Sequence, residues 1–347
     1  MPRTLSCKLT GMEPNFPPAT TPPAGTTSTT QQRFVVLSQC LQQRVIGQKA
    51  LVERLLIALL ADGHLLVEGA PGLAKTTAIR VLALHLQAGF ARIQFTPDLL
   101  PADLTGSEIW RPDQGRFEFV PGPLFHPVVL ADEINRAPAK VQSALLEAMA
   151  ERQVSVGGRS WPLPPPFLVM ATQNPIEQEG TYALPEAQMD RFLMQVRIGY
   201  PDADAELRIL QQARAGDGAA LQVDAAACID LDVLQQAREE VAGLHLAPAL
   251  ERYIVELVLA TRDPGRYAPE LAGQIAWGAS PRGTIALERC ARVRAWLAGR
   301  DYLIPEDVRA LAPDVLGHRV LPSYPAQAAG VDGPALVDAL LARVPLP

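Results

Sequence analysis

A short loop of small residues lies between an apolar run, Leu65-Leu66-Val67, and the start of a helical pattern. The loop comprises Gly69, Ala70, Pro71, Gly72, Leu73, Ala74, Lys75 and Thr76, and Thr77 follows it. Small residues let backbone N–H groups wrap around phosphate oxygens, while the lysine reaches the outer phosphates and the threonine hydroxyl binds Mg²⁺. The sequence therefore predicts a phosphate-binding P-loop, with the positive end of the following helix aimed at the ligand.

One position departs from the usual P-loop pattern, because Ala74 stands where a glycine normally precedes the lysine. Alanine is small, so we expect the loop to keep its shape. A chance turn of small residues is the alternative interpretation, and the strand–loop–helix context argues against it.

Short apolar runs alternate with helical patterns through the first two thirds of the chain. The runs are 64–68, 92–95, 128–131, 167–171 and 194–198, and the helical stretches are 76–87, 140–151 and 185–191. Strands alternating with helices predict a parallel, doubly wound sheet. The fold class expected here is α/β.

The strand signals end near residue 201, and the remaining patterns are helical. These patterns cover 203–214, 233–242, 249–261, 281–298, 305–312 and 333–343. We therefore expect a Pro- and Thr-rich disordered tail over residues 1–32, an α/β core over 33–200 and a smaller all-helical domain over 201–347.

The net charge and the cysteine spacing limit the partners and the cellular setting that we expect for this chain. The formal net charge is −6, so no global basic field attracts nucleic acid. The four cysteines show no paired spacing, which favours a reducing, cytoplasmic setting, and we expect no membrane span.

Two further strands end in polar residues suited to nucleotide chemistry. Asp132 and Glu133 follow the apolar run at 128–131, and Asn174 follows the run at 167–171. We predict that Asp132 holds Mg²⁺ with Thr76, that Glu133 polarises the attacking water and that Asn174 contacts the γ-phosphate or that water. Solvated acids and a simple turn before Pro175 are the plainer alternatives.

Several motifs in this order resemble the MoxR family of AAA+ ATPases, over about residues 34–344. Besides the P-loop, they are VIGQ at 45–48, LADEINRAP at 130–138, ATQNP at 171–175, LPEAQMDRF at 184–192 and SPRG at 280–283. The resemblance implies a P-loop AAA+ parallel-sheet core followed by an all-helical lid, with ATP and Mg²⁺ as cofactors.

The resemblance also implies roles for residues outside the P-loop. Val45 and Ile46 would lie against the adenine, and Asn174 would be sensor 1. Arg191 would be an arginine finger that reaches a neighbouring subunit's γ-phosphate. Arg282 would be sensor 2, in its own subunit or a neighbour's. A surface ion pair and a helix-start charge are the plainer interpretations of these two arginines.

Two hairpins are predicted within the core. One joins 108–110 to 116–120, and the resemblance implies that it is the helix-2 insert of the clade. The other is centred on Gly157-Gly158. On the functional interpretation, both hairpins contact a partner. On the plainer interpretation, they are rigid structural additions at the edge of the core.

The resemblance implies a ring of identical subunits, with six expected, that hydrolyses ATP to remodel or activate a protein partner. A von Willebrand factor A-domain protein is the implied partner, and metal-cofactor insertion is one such role. The alternatives are the motor subunit of a chelatase that inserts a metal into a tetrapyrrole, a nucleic-acid translocase and a nucleotide-gated scaffold. The acidic net charge disfavours the translocase, and the intact Lys75, Asp132, Glu133 and Arg191 disfavour the scaffold.

Overall fold

A five-stranded parallel sheet forms the centre of the N-terminal part of the chain. The computed structural model describes residues 28–175, 181–214 and 224–347. The strands of the chain are β1 Leu65–Glu68, β2 Phe90–Gln94, β3 Gly106–Arg111, β4 Arg116–Pro121, β5 Val128–Asp132, β6 Gln153–Val156, β7 Arg159–Pro162, β8 Leu168–Gln173, β9 Met194–Arg197, β10 Ile275–Trp277 and β11 Leu321–Pro322. The central sheet has the order β2-β5-β8-β1-β9, which confirms the predicted α/β class.

Helices cover both faces of the sheet and make up most of the C-terminal part. They are α1 Thr29–Arg44, α2 Lys49–Leu60, α3 Lys75–His85, α4 Pro101–Thr105, α5 Ala139–Glu151, α6 Glu186–Met189, α7 Ala203–Arg214, α8 Leu231–Ala242, α9 Pro248–Arg262, α10 Pro281–Leu297, α11 Pro305–Leu316, α12 Tyr324–Ala328 and α13 Gly333–Leu341. None of them, within the described ranges, is long and apolar enough to cross a bilayer.

The strand order brings the three polar motifs together. β8 pairs in parallel with both β1 and β5, so the residues that follow these three strands meet at one edge of the sheet. Ligands of open α/β sheets bind at this carboxyl edge. The predicted P-loop, the two acids and Asn174 therefore share one location at this edge.

Successive residues of the strands belong to different cores. Leu65 and Val67 pack in the cluster that contains α1, α2, α3 and the C-terminal helices, whereas Leu66 packs in the cluster that contains α5. A strand buried on both faces needs the continuous apolar run that the sequence displays. The first cluster continues into the C-terminal domain, so the helical lid packs against one face of the core.

His64, at the start of β1, fastens the sheet to α5 as a buried neutral ring. Its Nδ1 accepts a hydrogen bond from Val169 N at 3.1 Å, and its Nε2 lies 3.2 Å from Met149 O. Burial is the main reason that the pKa of His64 falls to about 3. The ring thus stays uncharged at neutral pH and serves the structure.

The C-terminal domain differs from the expected all-helical lid in one respect. Ile275 and Trp277 form a short antiparallel ribbon with Pro322 and Leu321. Each strand has three residues or fewer, which is too short for the sequence pattern to separate it from a loop.

The first helix begins earlier than predicted. Residues 1–27 of the expected tail lie outside the described residues, but α1 begins at Thr29. Ser28 caps this helix by accepting a hydrogen bond from Gln31 N at 3.0 Å, and Thr30 and Gln31 are buried. The expected boundary at residue 32 was therefore wrong by four residues, because the polar threonine run concealed the serine cap.

Both predicted hairpins are present. β3 pairs with β4, and β6 pairs with β7. They pack together through Phe119 and Trp161, whose rings stack with their centroids 4.4 Å apart. Trp110 and Phe117 lie at the outer end of the first hairpin with 50% and 64% of their surface exposed.

Candidate functional site

The loop predicted to be a P-loop follows β1 and ends at the N-terminus of α3, as that role requires. Lys75 Nζ donates a 2.6 Å hydrogen bond to Gly69 O. A side chain at Gly69 would collide with Ile198, since a Cβ there would lie 2.5 Å from Ile198 Cγ1. Partial burial is the main reason that the pKa of Lys75 is lowered, and Asp132 and Glu133 oppose the shift.

Ala74 adopts a left-handed backbone conformation, with φ 58° and ψ 20°. Glycine adopts this conformation without penalty, which explains why it usually precedes the P-loop lysine. A non-glycine residue held there costs about 1–3 kcal/mol. The half-buried Ala74 packs against the main core, which offsets part of that cost.

We expect Ala74→Val to destabilise the fold and Ala74→Gly to change it little. A β-branched side chain at this φ adds about 1–3 kcal/mol of strain. Glycine relieves strain but loses the packed methyl group and increases the entropy of the unfolded chain. Urea unfolding of the three proteins measures both changes. Equal midpoints for Ala74→Val and the natural chain would contradict the left-handed conformation.

Asp132, the last residue of β5, is buried and held on both sides. Thr172 Oγ1 donates to Asp132 Oδ1 at 2.6 Å. On the other side, Arg92 Nη2 lies 2.6 Å from Asp132 Oδ2. The carboxylate is thereby fixed and charge-compensated at the sheet edge.

Glu133 begins the segment after β5 with φ 56°, which is also left-handed. Its N–H donates to Thr172 Oγ1 at 2.9 Å, so one threonine orients both acids. Its Oε2 accepts hydrogen bonds from Gln94 Nε2 at 3.0 Å and Arg136 Nη1 at 3.1 Å. A carboxylate placed in this way can turn toward a water once these contacts are exchanged.

One cavity of about 360 Å³ gathers most of the predicted site. It is lined by residues 71–77 of the P-loop, Arg92, Asp132, Glu133 and Asn174. Mg²⁺ favours oxygen ligands and is usually held by one or two carboxylates together with substrate phosphates. The buried Asp132 carboxylate and the Thr76 hydroxyl in the same cavity fit that donor set.

Val45 and Ile46 are not among the residues lining this cavity. Both are buried, with 1% and 8% exposure. Their neighbours are fastened to the chain beyond β9, because Gln48 Nε2 donates to Gly199 O at 2.9 Å. A Cβ on Gly47 would lie 2.8 Å from Pro201 Cβ. An adenine contact by Val45 and Ile46 therefore remains a prediction.

Arg191 and Arg282 line a second cavity of about 370 Å³, whose lining includes no P-loop residue. Arg191 comes from the segment after α6, and its Nη1 donates to Leu146 O at 2.7 Å. Arg282 lies in the first turn of α10 with its side chain 64% exposed. Three further arginines, Arg152, Arg289 and Arg319, line the same cavity.

Sequence reasoning missed several residues that line these two cavities or hydrogen-bond to residues that do. Arg92 and Gln94 point to one side of β2, where they alternate with the more buried Ala91 and Ile93, and this period of two was the available signal. Thr172 belonged to a recognised motif but had been given no role. Asp190 also belonged to a recognised motif, at 184–192, without a role, and its contact with Arg319 carried no local signal because the two residues are far apart in the chain.

Comparisons with known proteins agree with this geometry. The chain matches the ATPase family associated with various cellular activities (AAA) over residues 64–194 and the AAA lid domain over residues 270–340. It is 46% identical to the chaperone MoxR1 of Mycobacterium tuberculosis, over 87% of this chain and 79% of the relative. It is 44% identical to the uncharacterised protein YeaC of Bacillus subtilis, over 87% and 91% of the two chains.

A solved structure shares the fold over most of the chain. This protein, described as a putative ATPase from Cytophaga hutchinsonii, superposes with a TM-score of 0.85 at 43% identity. The alignment covers 92% of this chain and 96% of the other.

Proposed function

The chain belongs to the MoxR family of AAA+ ATPases, and on this premise we propose that it hydrolyses ATP as one subunit of a ring. The energy of hydrolysis would remodel or activate a partner protein, as the chaperone naming of one relative suggests. The observation that carries this proposal is the separation of the site into two cavities within one chain.

The P-loop cavity would bind ATP and prepare the water. Lys75 would leave Gly69 O to bind the outer phosphates, and the backbone of residues 71–77 would cradle them. Mg²⁺ on Asp132 and Thr76 would neutralise charge on the phosphates. Arg92 would then give up its contact with Asp132, whose second oxygen remains held by Thr172.

Glu133 would act on the attacking water. It would leave Gln94 and Arg136, accept the proton of the water and keep its backbone position through Thr172. Asn174 lines the same cavity and would hold the γ-phosphate or the water. Together, the groups of this cavity would bind the nucleotide and supply a general base for the attacking water.

The arginine cavity would complete a neighbour's site. Arg191 and Arg282 share one surface away from the P-loop of their own chain, which favours action of both across a subunit boundary. Guanidinium groups brought to the γ-phosphate stabilise the charge of the transition state. A head-to-tail contact of this kind closes into a ring when the rotation permits, and we expect six subunits.

The first hairpin is the proposed contact with the partner. Trp110 and Phe117 pack edge to face, with centroids 5.1 Å apart, and are largely exposed. Exposed aromatic pairs are typical anchors of protein interfaces. The family resemblance favours a partner with a von Willebrand factor A-type domain.

Removal of the P-loop lysine tests the activity itself. We expect Lys75→Ala to abolish phosphate release because the outer phosphates lose their cation, while the fold is kept. Phosphate release and binding of a fluorescent ATP analogue by Lys75→Ala and the natural chain measure the effect. Release that persists in Lys75→Ala would show that another site or a contaminant hydrolyses ATP.

A further inference from the structure

Asp190 joins the core to the lid at the arginine cavity. It directly precedes Arg191, and both of its carboxylate oxygens accept hydrogen bonds from the lid. Ser280 Oγ donates to Asp190 Oδ2 at 3.0 Å, and Arg319 Nε donates to Asp190 Oδ1 at 2.7 Å. Arg282 Nη1 lies 3.8 Å from the same carboxylate.

Arg319 holds the chain on the other side of Arg191. Its side chain is 3% exposed. Its Nη2 donates to Phe192 O at 2.6 Å, and its Nη1 donates to Leu193 O at 3.1 Å. The residues immediately before and after Arg191 are therefore bound to one buried guanidinium of the lid.

Ser280 connects the same carboxylate to the start of α10. It is the N-cap residue of that helix, and its Oγ accepts a hydrogen bond from Arg282 N at 3.2 Å. Because the hydroxyl proton points to Asp190, the first turn of α10, which carries Arg282, has a fixed position relative to Arg191. A serine cap alone would fix the helix end but not its distance from the core.

We propose that Asp190 is a positioning residue that, together with Arg319, makes Arg191 of the core and Arg282 of the lid a single rigid receptor for the neighbouring subunit's ATP phosphates. This inference rests on the proposed function, since it assumes that both arginines act across the subunit boundary. Asp190 touches no nucleotide itself. Its carboxylate also offsets the repulsion between the guanidinium groups of Arg319 and Arg282, both of which lie within 4 Å of it.

A second ion pair between core and lid provides a matched comparison. Arg54 Nε of α2 lies 2.7 Å from Asp314 Oδ2 of α11, and the two side chains are 11% and 25% exposed. The Asp190–Arg319 pair has the same separation, with exposures of 20% and 3%. Neither Arg54 nor Asp314 lines the arginine cavity. If hydrolysis only required ion pairs between core and lid, the loss of either pair would lower the rate of hydrolysis equally.

Three variants separate positioning from stability. Asp190→Asn removes the charge with little change of shape. The double variant Asp190→Asn/Arg319→Gln leaves no buried charge without a partner. It therefore provides the test if Asp190→Asn alone does not fold. Asp314→Asn is the control. Circular dichroism, ATP-analogue binding and phosphate release are measured for each.

For both Asp190 variants we expect kcat to fall about 10- to 100-fold, because misplacement by about 1 Å costs that much. Binding of the ATP analogue should stay unchanged, since the P-loop cavity is intact. Asp314→Asn should lower thermal stability without this fall in kcat. Equal kcat values for the double variant and Asp314→Asn would overturn the inference.

Mixing identifies the subunit in which Asp190 acts. Asp190→Asn subunits mixed with Lys75→Ala subunits should regain turnover, because an intact arginine face then meets an intact P-loop. A mixture of Arg191→Ala subunits with Lys75→Ala subunits serves as the reference. If that mixture recovers turnover but the mixture of Asp190→Asn with Lys75→Ala subunits does not, this inference alone is overturned. An absence of recovery in both mixtures would overturn the proposed shared site and this inference with it.

Discussion

Replacing Arg191 with alanine is expected to lower kcat by about 10³–10⁵, the range for an arginine that stabilises the phosphoryl-transfer transition state. ATP binding should persist, because Arg191 lines a cavity separate from that of the P-loop in its own chain. Phosphate release and ATP-analogue binding measure the two effects. Arg252→Ala, at an exposed position on α9, is the matched control and should behave like the natural chain.

A mixture of variants tests whether Arg191 acts between subunits. In an equal mixture of Arg191→Ala and Lys75→Ala, roughly a quarter of the head-to-tail interfaces pair an intact P-loop with an intact arginine. Turnover should therefore return although each variant alone is inactive. If the mixture stays as inactive as its components, Arg191 does not complete a neighbour's site.

Replacing Glu133 with glutamine is expected to leave ATP bound but unhydrolysed. Glutamine keeps the shape of the side chain and cannot accept a proton from water, so kcat should fall about 10²–10⁴-fold. The backbone contact with Thr172 does not involve the substituted group, which preserves the geometry of Asp132. Binding of labelled ATP and its conversion to ADP in a single turnover measure the result.

Glu251→Gln, an equivalent substitution at an exposed position on α9, controls for the loss of charge. It should hydrolyse ATP at the natural rate. Turnover by Glu133→Gln within a few-fold of that rate would remove Glu133 from the water-activating role.

The sequence predicted the sheet well, for a physical reason. Parallel strands are buried on both faces, so runs such as Leu65-Leu66-Val67 stand out, and the loops at their carboxyl ends must share one edge. The alternating strands and helices thus predicted the fold class, and the motifs that follow the apolar runs assigned Lys75, Asp132 and Asn174 to one nucleotide site. The start of the first helix was predicted less well, because its cap, Ser28, lies in a polar run that resembled a disordered tail.

The contacts that order the site were beyond sequence reasoning. Arg92 meets Asp132 because β2 pairs with β5, and no local pattern encodes which strands are neighbours. Asp190 and Arg319 are separated by most of the lid in sequence, and their contact depends on how the lid packs against the core. The resemblance implied roles for Arg191 and Arg282 but not their common cavity, which required the folded chain.

The central claim is that each complete site is shared by two subunits. The most direct test is the mass of the purified protein in solution, with and without ATP and Mg²⁺, measured together with phosphate release over a dilution series. The account predicts a ring in the presence of nucleotide and a turnover per subunit that rises with protein concentration as the ring assembles. A monomer that hydrolyses ATP at the same rate per subunit at every dilution would contradict it.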